Sequence, residues 1–153
     1  MYSLWERPHV SLASDWIYAD ASAHRLISDL SVFIGQQRSH RIIAAGDLNL
    51  FHGYGDRGSP YWRARYQTVF DRMAAIGLRF VGPQLPSEQG EVQGVTRNIP
   101  TFRKDRHRPE TASDQLDLVF ASEDIADRVQ TSALSGANAW GPSDHCMIQI
   151  DLN

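Results

Sequence analysis

The sequence predicts an α+β fold, a mixed β-sheet covered by helices on one face, in a single domain over residues 1–153. Three observations carry this. Apolar residues recur at helical spacing in two early segments. Short apolar runs closed by Gly and Asp alternate with those helices over the first half. Later the strand-like segments follow one another almost alone, so strands interleave with helices early and dominate late.

In chain order, Tyr2-Ser3-Leu4-Trp5 reads as a short strand, followed by a connection containing Pro8. From about Ala19 to Ile34, Leu26, Ile27, Leu30, Phe33 and Ile34 recur at spacings of three and four, which predicts an amphipathic helix ended by Gly35. Ile42-Ile43-Ala44-Ala45 fits a buried strand stopped by Gly46-Asp47. A loop rich in Gly53, Gly55, Gly58 and Pro60 leads into a helix near Tyr61 to Ala75, with Tyr66, Val69, Phe70 and Met73 on one face and Gly77 as terminator. Leu78 to Val81 reads as a strand and Gly82 to Gly94 as a long surface loop. Further strands are expected at Ile99 to Phe102, Gln115 to Ala121, Val129 to Leu134 and Cys146 to Leu152. The last of these alternates Cys146, Ile148, Ile150 and Leu152 on one face.

Composition removes several classes. With 42% hydrophobic and 22% charged residues the chain is neither disordered nor collagen-like. The longest apolar run, Ile42 to Ala45, is far short of the ~20 residues that cross a bilayer, and no charged-then-apolar leader opens the chain, so no transmembrane or export segment is expected. The single cysteine, Cys146, closes no intrachain disulfide and fits a reducing, cytoplasmic setting. Fifteen basic against 18 acidic side chains argue against a surface that holds nucleic acid all over. A local cluster, Arg97, Arg103, Lys104, Arg106, His107 and Arg108, reads either as a phosphate-facing loop or as a solvated charged one.

Three polar constellations stand at strand ends. In Gly46-Asp47-Leu48-Asn49, Asp47 and Asn49 point to one side if the chain stays extended. Asp117 lies inside the apolar run Leu116 to Phe120, where burying its charge costs several kcal/mol unless something pairs with it, so a partner is expected. Ser143-Asp144-His145 sets a carboxylate beside an imidazole just before the final strand. Each alone has an ordinary reading as turn chemistry or a cap. Their conjunction in this order is what points to a site.

Gly46 to Asn49, Asp117 in its apolar strand, Ser143 to His145 and the Pro100-Thr101-Phe102 stretch together resemble the late motifs of the endonuclease/exonuclease/phosphatase family, the metal-dependent hydrolases with a deoxyribonuclease I-like fold. The resemblance covers roughly residues 41–152 and corresponds to the family's C-terminal half, that is, half of a four-layer α/β sandwich. It implies a phosphoester hydrolase, a nuclease or phosphatase, dependent on Mg²⁺ or on Mn²⁺ in its place. Asp47 would orient or deprotonate the attacking water and Asn49 would hold the scissile phosphate. Asp117 would accept a hydrogen bond from His145, which would steady the phosphate, and Asp144 would contribute to the metal site. The family's first half supplies an early Asn and a Glu that is a principal Mg²⁺ ligand, and no such segment precedes Tyr2 in this sequence. The alternative is therefore a non-catalytic domain that binds phosphate or nucleic acid. Half a sandwich also leaves one sheet face uncovered, which implies self-association or a complementary half there.

Overall fold

The computed structural model describes residues 15–36, 40–53, 60–85, 98–106, 108–136 and 138–153. The expected strand at Tyr2 to Trp5, most of the Gly82 to Gly94 loop, and Arg97 and His107 of the basic cluster lie outside them. The architecture is α+β, as the sequence predicts. Helix α1 (Asp15–Leu30) runs into a 3₁₀ helix (Ser31–Gln36), followed by β1 (Ile43–Asp47), α2 (Pro60–Ala75) and β2 (Leu78–Gly82). Then come β3 (Phe102–Arg103), a 3₁₀ turn (Pro109–Thr111), β4 (Ala112–Asp114), β5 (Asp117–Ser122), the short α3 (Glu123–Ala126), β6 (Val129–Leu134) and β7 (Met147–Leu152).

The two long helices begin and end for local reasons. Pro60 opens α2, where its missing N–H costs nothing. Gly77 closes it at φ 77°, a left-handed conformation that turns the chain directly into β2. At the end of α1 the Ser28 hydroxyl donates to the His24 carbonyl and the Ser31 hydroxyl to the Ser28 carbonyl, and the coil tightens to 3₁₀ from Ser31, before the expected stop at Gly35. The tighter coil rotates the residues beyond Leu30 off the apolar stripe, so Phe33, expected to face inward, is exposed.

The central sheet has the order β1-β5-β2, and all pairings among the described residues are antiparallel where a mixed sheet was expected. All six residues of β5 are buried, which follows from its place between two neighbours with both faces covered. Leu118 and Phe120 point to the helices and pack with Ala23 and Ile27 of α1, Tyr66, Val69 and Met73 of α2, and Leu48 and Leu50 just past β1. On the opposite face Ala121 meets Ile125, Ala126 and Val129, with Ile150 of the β6-β7 ribbon against them.

Three expectations need correction. β1 is not a buried strand: it lies at the edge of the sheet among the described residues, and Ile43 and Ala45 are exposed. The Ile99 to Phe102 strand shrinks to Phe102–Arg103, because Pro100 offers no N–H to a ladder. Leu152 is half exposed at the end of the chain, while Cys146, Ile148 and Ile150 keep the expected inward alternation.

Candidate functional site

The register of the sheet creates the site. In the β1-β5 ladder, Asp47 stands directly opposite Asp117. Like charges at paired positions repel, so the arrangement calls for a proton donor between them. His145 is that group. Its Nδ1 lies 2.8 Å from Asp117 Oδ2 and its Nε2 3.7 Å from Asp47 Oδ2. A carboxylate can only accept, so Nδ1 carries the proton and donates it to Asp117. The partner expected for Asp117 is therefore His145.

Each side chain is held by its own element. Gly46 adopts φ 151°, a conformation closed to L side chains, so β1 can bend where Asp47 leaves the sheet. Leu48 N–H continues the ladder to the Leu116 carbonyl at 3.0 Å, and Leu48 and Leu50 anchor the turn in the core. Asn49 takes a left-handed φ of 51°, so the extended geometry assumed for the Asp47-Asn49 pair is not the one adopted. Asn49 instead folds back on its neighbour: its N–H donates to Asp47 Oδ1 at 3.1 Å, and its side chain also hydrogen-bonds that carboxylate.

The electrostatics follow from burial and spacing. The hydrogen bond to Asp117 raises the His145 pKa above its ordinary 6.5; burial opposes this, and the charges of Asp117, Asp47 and Asp144 add to it. Burial raises the Asp47 carboxyl, as does Asp117, while His145 and the Asn49 hydrogen bonds pull it down. A carboxylate with a raised pKa, open on one side toward an imidazole, is a better proton acceptor than a free one. At 3.7 Å, Asp47 Oδ2 and His145 Nε2 stand beyond direct hydrogen-bond distance.

Asp47, Asn49, Asp117 and His145 thus come together. Asp144 is next to them in the chain, but its carboxylate pairs with Arg106 at 3.3 Å. Burial works to raise the Asp144 pKa, yet its own backbone hydrogen bond and Arg106 bring it down. Among the described residues no group of three or more His, Cys, Asp or Glu side chains is placed to hold a metal ion. Among the described residues Asp144 alone does not make a Mg²⁺ site, so their donor set does not by itself fit the implied metal.

The basic cluster separates into different roles. Arg108 pairs with Glu110, Arg106 with Asp144, and Lys104 is exposed. Arg103, grouped with them on sequence, is buried. Its guanidinium donates to the Ser143 carbonyl at 2.7 and 3.1 Å and to the Gly141 carbonyl at 3.0 Å, and its carbon centre lies 5.1 Å from the Trp140 ring centroid. Arg103 N–H also donates to the Asp144 carbonyl at 2.9 Å. This arginine fixes the loop that delivers His145. Sequence reasoning missed it, although an arginine next to an aromatic in a β-bridged stretch carries a weak signal. Phe102, whose ring centroid lies 5.2 Å from that of His145, was likewise not assigned to the site.

Compared with known proteins, the chain matches no family model and no curated sequence.

Proposed function

We propose that this chain carries the proton-handling and phosphate-contacting part of a Mg²⁺-dependent phosphoester hydrolase, a nuclease or phosphatase of the endonuclease/exonuclease/phosphatase type with a deoxyribonuclease I-like fold. The observation that supports it is the trio itself, an imidazole held between two strand-paired carboxylates. A water in the gap beside Asp47 loses its proton to that carboxylate as its oxygen attacks phosphorus. His145, oriented by Asp117, donates from Nε2 to a phosphoryl oxygen or to the departing ester oxygen. Asn49 steadies Asp47 and offers its amide toward the phosphate.

Charge balance supports a cation. Two carboxyls and one imidazole bring no net positive charge to the site, which disfavours an anionic ester unless positive charge is added. Arg106 is paired with Asp144, so the added charge would come from Mg²⁺ or Mn²⁺, toward which Asp144 is the carboxylate this chain would offer.

The phosphate-containing substrate, nucleic acid among the classes, and a cytoplasmic location belong to the same proposal. The location is supported by the single cysteine, which closes no intrachain disulfide. No helix among the described residues is long and apolar enough to cross a membrane. Exposed Ile43 and Ala45 on β1, an edge strand among the described residues, support association with a second copy or a complementary half through that face.

The test is hydrolysis of bis-p-nitrophenyl phosphate and p-nitrophenyl phosphate with Mg²⁺ or Mn²⁺. D47N and H145Q should each lose about 10²- to 10⁴-fold in rate, the usual worth of a positioned acid or base. Phosphate binding without turnover by the wild-type protein would favour the non-catalytic reading.

A further inference from the structure

Thr101 is fully buried, yet the polar atoms it brings are engaged on two sides of the site. Its hydroxyl oxygen accepts from Leu116 N–H at 3.1 Å and from Asp117 N–H at 3.2 Å. Its carbonyl accepts from Cys146 N–H at 3.0 Å, and its own N–H donates to the Asp114 carbonyl at 2.9 Å. The need for the hydroxyl comes from topology. The last pairing of β2 with β5 is Gly82 with Val119, so among the described residues no strand pairs with Leu116 and Asp117 on that side. Buried N–H groups left there would be costly, and Thr101 supplies the missing acceptor.

The two sides it grips are the two partners of one hydrogen bond. Asp117 is held by its own amide. His145 is held through Cys146, its neighbour, and Phe102 bridges to His145 directly. We propose that Thr101 is the positioning residue of the site, its hydroxyl fixing the separation and orientation of Asp117 and His145. The claim concerns the geometry of the pair and stands independently of the phosphoester reading. It also sets a rule: serine is the one other residue that keeps a small hydroxyl at this depth, whereas valine keeps the shape and removes the acceptor.

The experiment follows the low-field proton on His145 Nδ1 by NMR in the full chain, assigned by its disappearance in H145Q. Wild type and T101S should both show it, in slow exchange with water. In T101V and T101A, folded by their amide spectra, that proton should exchange about tenfold faster or vanish, as expected for the loss of two buried hydrogen bonds behind the pair. An unchanged proton in T101V would overturn the proposal, as would T101S behaving like T101V. If T101V and T101A both fail to fold while T101S folds, the hydroxyl serves the fold and the positioning role is refuted.

Discussion

Replacing Asp117 with Asn keeps size and an acceptor oxygen but removes the charge beside His145. A hydrogen bond to a charged group contributes roughly 1.5–3 kcal/mol and a neutral one roughly 0.5–1.5, so the substitution withdraws about 1–1.5 kcal/mol of preference for the imidazolium. At 1.36 kcal/mol for each pKa unit, the His145 pKa should fall by about one unit. Asp47 remains 3.7 Å away and keeps part of the elevation, while burial still works in the opposite direction. The assay is an imidazole NMR titration of wild type and D117N. The sign extends to stability. A folded pKa above 6.5 means a contribution fully present below 6.5 and lost as pH rises through the folded value. The gap in urea stability between wild type and D117N should therefore narrow as pH increases. An unchanged His145 pKa, or a gap that widens with pH, would refute the electrostatic reasoning.

Other expectations follow from the same contacts. Burial raises the Asp47 pKa above 3.8, so this carboxyl too favours folding at low pH and withdraws that contribution as pH climbs through its folded pKa; D47N should flatten that part of the stability-pH curve. R103M removes the donor of three hydrogen bonds to the Gly141 and Ser143 carbonyls and should cost about 2–4 kcal/mol in chemical denaturation, with the His145 loop losing amide protection first. F120A opens a cavity where Phe120 meets the Phe70 and Phe80 rings and should cost about 3–5 kcal/mol. G77A forces alanine into a left-handed φ and should cost about 1 kcal/mol or more, read as a lower thermal midpoint.

What was legible in the sequence was whatever local pattern decides. The helical stripe of α2 and its stop at Gly77, the inward alternation before Leu152 and the lone carboxylate in β5 are short-range signals. Asp117 could be flagged because a charge among Leu116, Leu118 and Val119 must find a partner. Register was not legible. Nothing local says that Asp47 falls opposite Asp117, and that pairing is the reason an imidazole belongs between them. Burial of Arg103 and Thr101 was also hidden, since both depend on where β2 ends and on how the loop before His145 closes. The edge position of β1 escaped because an apolar run of four looks the same at the centre of a sheet and at its rim.

The most direct test of the Asp47-His145-Asp117 assignment is hydrolysis of a phosphodiester with Mg²⁺ in water carrying isotopically labelled oxygen, read by mass spectrometry of the phosphate product. Attack by water at phosphorus places one labelled oxygen in the phosphate for each bond cleaved, and with Asp47 activating that water, D47N slows the incorporation by about 10²- to 10⁴-fold. Turnover with the label in the released alcohol, or incorporation in D47N at the wild-type rate, would contradict it.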